Sequence, residues 1–557
     1  MRKLHDQEDL DDFLRQYEEG IDIGIKKTPP PNDKINNPPM DIVSKVKMGE
    51  TILKWYNKGY LMGPFETDDP RVKDCRLNPV FTVPKPDGSV RPVVNYSKKI
   101  KGSSLNEMLK EDLCTVEYIK LKEITYTMQA MGVGAMMWAK DLEDGYFNIK
   151  IHPTQTKLIS FMFLGLIFVP MVLVFGLSSA PLIFTVFMYY VVMAIRLNDI
   201  SLNYHGIHKS KFIREFFQKE ADTFSRRNMV YFPLVMYYLD DIFGVQTPQK
   251  VWKQYDAAGT ILKFLGLSAK EAKDRPPAPI QIILGLEFDT IKQEIRTPQE
   301  KVKKYKAFAK GILAAKKVLK KKLFSLTGKV RHTAGQCRPL AAYARGIEAH
   351  GTRHEWNHHI NISRQLRIDI QFTISAMEFA AESGVKFNEL LVPDEMIQFD
   401  AFTDATSVYG GIGGYIHQPN APWFQVAWSD LPNTQHLDIL WKEMAAIAVL
   451  IDIYKYKFQK KYVRIWTDNE SIKWMLLKWR APLNRPDLQK LIRFIAQRCI
   501  YNHVNPWFEA IRGEENVVAD KLSRFESNPF KSVAVTPREQ PTKARDSILR
   551  MIDECTA

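Results

Sequence analysis

The stretch Leu234-Val-Met-Tyr-Tyr-Leu-Asp-Asp-Ile-Phe-Gly-Val245 decides how the rest of the chain is read. Its flanks are rich in β-branched and aromatic residues and too short for a helix, which predicts two strands of a hairpin with Leu239-Asp240-Asp241 at the turn. Adjacent carboxylates on an apolar hairpin repel each other and lose hydration, so the arrangement is costly unless a cation neutralises them. Hard oxygen donors held this way suit Mg²⁺ or Mn²⁺. An exposed acidic turn is the competing explanation for any lone Asp-Asp pair, and the other motifs decide between the two.

Upstream, Ala135-Met-Met-Trp-Ala-Lys-Asp-Leu-Glu-Asp-Gly-Tyr-Phe-Asn-Ile-Lys-Ile-His152 predicts a strand that delivers Asp141, then a glycine-containing turn and Tyr146. If Asp141 faces Asp240 and Asp241, three carboxylates surround one point, enough for two divalent ions. Glu143 and Asp144 compete locally for the role, and periodicity does not exclude them. Between the two acidic motifs, Leu158 to Ile195 carries no charge. Length alone would allow a transmembrane hairpin. Val169-Pro170 and Phe175-Gly-Leu-Ser-Ser-Ala-Pro181 instead predict a buried strand pair followed by a buried helix, with no membrane involved.

Closer to the start, Asn78 to Asn95 predicts a β-hairpin turning at Pro86-Asp87-Gly88. Lys85 and Arg91 flank that turn and can both reach one anionic ligand such as a triphosphate, or stand as solvated hairpin charges. Ile42 to Tyr60 predicts a helix with Val46, Ile52, Leu53 and Tyr56 on one face. Residues 1–40 begin acidic and end in proline-rich linker composition, for which poor order is expected.

Downstream of the central hairpin, Ile280 to Asp289 predicts a strand and Thr297-Pro-Gln-Glu300 a capping box opening a helix. That helix would carry ten lysines between 301 and 322, a phosphate-tracking surface. Residues 198–231, with Lys209, Lys211, Arg214, Lys219, Arg226 and Arg227, are expected to form a polar excursion between core elements. His354, His358 and His359 have i, i+4 spacing but no second ligand pair, and are expected to be surface histidines.

Composition is compatible with several globular domains: 557 residues, 45% hydrophobic and 25% charged. A net charge of +15 favours polyanionic partners. The five scattered cysteines form no Cys-x-x-Cys pair, which fits reduced thiols in a cytoplasmic or nuclear compartment. The first twenty residues, charged throughout, do not predict a secretory signal.

A second acidic constellation follows. Asp404 lies in a strand that is expected to continue through a glycine-rich turn into a second strand. Glu443 interrupts an apolar helix, Asp468 ends a strand, and Asp520 stands near a helix start. Four carboxylates from these elements can clamp two ions that activate water and stabilise a leaving 3′-oxygen during phosphodiester cleavage.

As a set, these motifs resemble a reverse transcriptase fused to ribonuclease H. They run in order through Val83-Pro-Lys-Pro-Asp-Gly-Ser-Val-Arg-Pro92, Lys140-Asp-Leu-Glu-Asp-Gly-Tyr146, Phe175-Gly-Leu-Ser-Ser-Ala-Pro181, Tyr238-Leu-Asp-Asp241 and Ile283-Leu-Gly-Leu286. The second half adds Thr403-Asp404, Lys442-Glu443, Thr467-Asp468 and Ala519-Asp-Lys-Leu-Ser-Arg524. The wording of two of them is similar to gypsy-type and DIRS-like retroelements. The resemblance implies an α/β (α+β) right-hand polymerase followed by a ribonuclease H-like α/β domain. Its divisions would be a disordered segment at 1–40, fingers and palm at 41–296, thumb and connection at 297–394, ribonuclease H at 395–527 and a tail at 528–557.

It further implies that Asp141, Asp240 and Asp241 bind two polymerase metals while Lys85 and Arg91 hold the nucleotide. Tyr146 would exclude a 2′-hydroxyl, Phe175 would lie by the incoming base pair, and Lys273 would match a lysine after the catalytic hairpin. Asp404, Glu443, Asp468 and Asp520 would bind two further ions. Implied partners are an RNA template, a DNA primer, dNTP and RNA-DNA hybrid; the oligomeric state stays open. Two departures stand out. The gap from Pro181 to Tyr238 is long, and no histidine precedes the last acidic motif where cellular ribonucleases H carry one, His503 being the nearest. An RNA-copying RNA polymerase would share the first three acids without needing Tyr146 or the second set. A non-catalytic nucleic-acid-binding protein would need only the basic surface.

Overall fold

A computed structural model describes residues 7–32, 34–84, 88–199, 234–335, 337–387, 396–431, 434, 436–533, 536–537 and 541–556. Lys85 and nearly all of the 198–231 excursion lie outside the described residues. The chain is a mixture of helices and strands in two compact units, Met1–Leu284 and Gly285–Ala557.

In the first unit the central element is a four-stranded sheet of order β7-β8-β4-β9, formed by β4 (Met136–Asp141), β7 (Val235–Tyr238), β8 (Asp241–Gln246) and β9 (Arg275–Ala278). The quoted stretch is the β7-β8 hairpin, turning at Leu239-Asp240 with Leu239 in the left-handed region. A second sheet, β1-β6-β5, contains β1 (Leu61–Phe65), β5 (Phe161–Phe163) and β6 (Leu166–Pro170), and β2 (Val80–Pro84) pairs with β3 (Val90–Val94) as an antiparallel hairpin.

Three helices, α3 (Leu121–Met131), α4 (Pro153–Thr156) and α5 (Ala180–Asn198), lie between these strands in sequence, and α6 (Val251–Phe264) follows β8. Among the described residues α5 is the one helix long and apolar enough to cross a membrane. Most of its side chains are buried, with Phe184, Met188 and Val192 packed into the same core as Trp138 and Ile242. The uncharged segment is therefore a strand pair plus a core helix.

Two expectations change here. Residues before 40 are not a loose linker: α1 (Gln7–Glu19) stacks Phe13 on Tyr190 with centroids 4.2 Å apart and Tyr17 on Phe187 at 5.6 Å, and Ile21 and Ile23 are buried. Aromatic residues four apart bind the acidic helix to the core despite its charge. In α2 (Ile42–Asn57) the buried face is Met48 and Ile52, while Val46, Leu53 and Tyr56 are exposed.

The second unit opens with β10 (Ile280–Ile283) already behind it. The single strand expected over 280–289 is broken at Leu284 and Gly285, both with positive φ, and resumes as β11 (Leu286–Asp289), which pairs with β12 (Glu294–Arg296). Helix α7 (Gln299–Leu313) starts after Pro298, one residue later than the expected first helical position. The lysine run is not one helix either. It is interrupted by β13 (Lys317–Leu319), which buries Val318 and pairs with β14 (His359–Asn361), before α8 (Lys320–Ala334) begins. His354 and His358 sit in the loop before β14, so their spacing is not that of a helix face.

Helices α9 (Ala341–Ala349) and α10 (Arg364–Ser383) complete this helical part, and β15 (Val385–Lys386) pairs with β12. The remainder is a five-stranded mixed sheet, β18-β17-β16-β19-β20. Its strands are β16 (Phe399–Ala405), β17 (Gly411–His417), β18 (Trp423–Ala427), β19 (Tyr462–Thr467) and β20 (Asn505–Ala510). Around it lie α11 (Ile439–Tyr454), α12 (Glu470–Leu477), α13 (Pro486–Asn502) and α14 (Val517–Ser523).

The residues beyond 527 are no loose tail. Helix α15 (Arg545–Thr556) buries Ile548, Met551 and Cys555 against the core that α11 and α13 share. The buried Asp452 accepts bonds from Ser547 (2.5 Å), Lys455 (2.9 Å) and Arg498 (3.1 Å), tying the three helices together. A buried carboxylate is tolerated because it is multiply hydrogen-bonded.

Candidate active sites

Antiparallel register places Asp141, the last residue of β4, directly opposite Asp241, the first residue of β8, with Asp240 in the adjoining turn. The backbone locks this junction: Leu142 N–H donates to the Asp240 carbonyl (2.9 Å) and Lys270 N–H to the Asp141 carbonyl (2.8 Å). Burial first, then the charges of Asp240 and Asp141, push the Asp241 carboxyl up to about 6. The rival acids are engaged elsewhere. Asp144 accepts from Lys58 (2.5 Å) and Tyr60 (2.7 Å), and Glu143 pairs with Lys58 (3.2 Å).

Asp141 itself is not free. Lys270 Nζ bonds one of its oxygens and Lys273 Nζ the other (2.5 Å). Burial is the largest single influence on Lys273 and disfavours its charge, but the bond to Asp141 together with the charges of Asp141, Asp240 and Asp241 outweighs it and raises its pKa above the usual lysine value. Lys273 was among the sequence-derived candidates. Lys270 was missed; its own N–H on the Asp141 carbonyl and the neighbouring Ser268 carbonyl on Glu143 N–H bring it to the end of β4.

Three more of the expected residues converge beside this cluster. The Arg91 guanidinium lies 5.1 Å from the centre of the Phe175 ring, and Phe175 packs on Tyr146 with centroids 5.1 Å apart. Tyr146 also meets Phe184 edge-on at 5.0 Å, so its ring position is fixed from two sides. Burial pushes its hydroxyl up to about 12, with Tyr118 and Asp240 adding to the shift.

In the second unit Asp404, Glu443 and Asp468 bring carboxylate oxygens within 4.8 Å of one another. Asp404 sits near the end of β16, Glu443 on the first turns of α11, and Asp468 just past β19, which runs parallel to β16. Burial, followed by the neighbouring acids, lifts Asp404 to about 6 and Glu443 well above the ordinary carboxylate range. Glu443 Oε2 is buried and has no hydrogen-bond partner among the described residues. An orphaned buried carboxylate oxygen facing two further carboxylates is the donor set that a hard divalent cation satisfies.

Asp520 stands at the edge of this group. Its Oδ1 accepts from Arg524 Nε at 2.6 Å, and it acts on the other acids through its charge. Ser523, fully buried on the same helix, donates to Asp404 Oδ2 (2.5 Å). Of the glycines expected to form a turn, Gly410 does so with positive φ, whereas Gly411, Gly413 and Gly414 lie inside β17. A Cβ on Gly413 would stand 2.5 Å from Leu522 Cβ and 2.7 Å from Ser523 N, so a bare strand is what lets α14 lie against the sheet. His503 caps α13 at the opposite, entering end of the parallel pair β19-β20, away from Asp468.

No protein-family model matches the sequence, and no curated protein matches it. Among solved structures the chain is similar to a foamy viral protease-reverse transcriptase (dRH) in complex with double-stranded DNA, at 15% identity and a TM-score of 0.45, covering 90% of this chain and 78% of that one. It is also similar to the foamy viral protein in complex with RNA/DNA hybrid, at 15% identity and a TM-score of 0.45, covering 96% of this chain and 63% of that chain. This chain thus spans less than two thirds of the length of the hybrid-bound protein.

Proposed function

We propose that the chain is a reverse transcriptase with ribonuclease H activity, of the gypsy-type or DIRS-like retroelement kind. It would copy an RNA template from a DNA primer with dNTPs and degrade the RNA strand of the resulting hybrid. The observation that carries this reading is the existence of two separate acidic clusters. One is built on the Asp141–Asp241 register beside the Arg91–Phe175–Tyr146 stack, and the other on the mutual approach of Asp404, Glu443 and Asp468. In this reading residues 41–296 form fingers and palm, 297–394 thumb and connection, and the sheet beginning at Phe399 the ribonuclease H domain. The five cysteines, none of them in a disulfide among the described residues, fit a cytoplasmic or nuclear compartment.

Two Mg²⁺ or Mn²⁺ ions at each cluster would supply Lewis acidity to the attacking and the leaving oxygen. Asp141, Asp240 and Asp241 would hold one pair, and Asp404, Glu443 and Asp468, assisted by Asp520, the other. Lys270 and Lys273 release Asp141 when it serves as a ligand. Arg91, with Lys85, binds the triphosphate of the incoming nucleotide. The wedged Tyr146 ring fills the space that a 2′-hydroxyl would need, which selects deoxynucleotides. At the second cluster that same hydroxyl marks the strand to be cut.

Primer extension on an RNA template with dNTPs or NTPs, with and without Mg²⁺, tests the polymerase half. The expected outcome is Mg²⁺-dependent extension by dNTPs alone. Extension with NTPs would point to an RNA polymerase, and failure of the purified chain to cut an RNA-DNA hybrid in Mg²⁺ would remove the nuclease half.

A further inference from the structure

Outside both acidic clusters, the break in the lysine run builds a basic surface on the second unit. Between Ala314 and Lys322 stand five lysines and no acid, and Lys316, Lys317, Lys321 and Lys322 are exposed. The pairing of β13 with β14 sets this segment beside the loop Thr352–His358, which contributes Arg353, His354, Trp356 and His358 with Glu355 as its single acid. The loop is held in a defined shape. Lys320 Nζ donates to the His354 carbonyl (2.5 Å), Lys320 N–H to the His358 carbonyl (2.9 Å), and the His354 and His358 rings stack 4.4 Å apart.

Gly351 sits where a Cβ would come 2.6 Å from the Phe324 ring, so the loop closes on α8 only with glycine there. At its tip Trp356 remains 58% exposed, edge-on to Phe324 at 5.4 Å, with the Lys320 ammonium 5.2 Å from its ring centre. A large ring held in place by a cation and a neighbouring aromatic, yet left in water, gains nothing for folding from its exposed surface. Lysines in the first turn of α8 are also disfavoured by the helix dipole. Together these features match what single-stranded nucleic acid uses, a cationic track for phosphates and a π-face on which a base stacks.

We infer that this surface binds single-stranded nucleic acid, with a base stacked on Trp356 and the phosphates on either side paired with Lys317, Lys321 and Lys322. The inference does not depend on either acidic cluster being catalytic. A flat duplex would meet the lysines but offers no unstacked base to the indole, so the surface discriminates for the single strand.

The test uses the full chain in EDTA, with fluorescence anisotropy of a labelled 12-nucleotide poly-dT strand and of a blunt 12-base-pair duplex. Trp356→Leu is expected to weaken the single strand about tenfold and the duplex less than about twofold, with the salt slope unchanged. Trp356→Phe, which keeps a ring, is expected to stay within about threefold of the parent. The triple change of Lys317, Lys321 and Lys322 to Gln is expected to weaken both ligands and flatten the single-strand salt slope by about 2. Equal affinities for the Leu and Phe variants, or an equal loss on duplex and single strand with Leu, would overturn the stacking role. An unchanged salt slope in the triple variant would overturn the phosphate track.

Discussion

The two acidic clusters solve one electrostatic problem in opposite ways. At the first, Asp141 is neutralised from within the chain by Lys270 and Lys273, one ammonium on each carboxylate oxygen. At the second, among the described residues, Glu443 Oε2 is buried without a hydrogen bond and Asp404 accepts from the Ser523 hydroxyl with no ammonium or guanidinium bonded to it. Repulsion and desolvation act on both sets. The first therefore supplies its own counter-charges to Asp141, although Asp241 beside it is still pushed up to about 6. The second keeps a standing deficit that an ion or a proton must fill.

The largest effect expected from this contrast is functional separation. Asp240→Asn should reduce DNA synthesis by on the order of 10³-fold or more while hybrid cleavage persists, and Asp468→Asn should do the reverse. Assaying both variants for both activities checks it, and a variant that loses both would show that the clusters do not act independently.

Next comes Ser523→Ala, which leaves every acid in place but removes the hydroxyl that orients Asp404. Loss of such an outer partner should lower the apparent Mg²⁺ affinity of hybrid cleavage about 10–100-fold, with synthesis unaffected. A Mg²⁺ titration of each activity distinguishes this from a general loss of fold.

Lys270→Ala probes the internally neutralised cluster. Since Lys270 is partly exposed, the expected cost is small, a fall of about 2–4 °C in melting temperature without divalent ions, recovered when Mg²⁺ is added. Were Mg²⁺ to stabilise parent and variant equally, the lysines would not be standing in for a cation.

The smallest effect is in pH dependence. The folded-state pKa of Asp404, about 6, lies above its unfolded value, so between roughly pH 4 and 6 the folded protein binds more protons and ion-free stability falls as pH rises. Above pH 6 the unrelieved charge is fully present, and there Mg²⁺ should raise the melting temperature most. The Mg²⁺ increment should shrink as pH drops below 6, when protons compete for the same oxygens. Thermal melts with and without Mg²⁺ at pH 5 and pH 8 measure it.

The catalytic candidates were legible because each acid lies at or near the end of an element whose type its neighbours declare: a short apolar Ala-Met-Met-Trp run before Asp141, alternating Val463, Ile465 and Thr467 before Asp468, an apolar helix around Glu443. Pairing then brings strand ends together with little freedom. What stayed hidden depends on partners distant in sequence. Phe13 and Tyr17 are masked by the acids around them, and only the rings of α5 show why that helix is ordered. The lysine run reads as one helix because helix propensity does not register the pull of Ile360 on Val318 across the β13-β14 pair. Ile548, Met551 and Cys555 are too sparse to announce a core helix until α11 and α13 present a surface for them. Lys270 belongs to a loop, where spacing carries no signal at all.

Gly413 makes the alignment of the second cluster depend on missing atoms. Where α14 lies on β17 the contact is helix against bare backbone, with no rotamer on the strand to yield. The distance from Ser523 to Asp404 is therefore set by main chain and not by side-chain fit, and one added methyl would act as a wedge, lifting the helix and both of its polar residues together. Evolutionary adjustment of the carboxylate spacing at this cluster is then confined to the helix side of the contact, because the strand side has nothing left to give up.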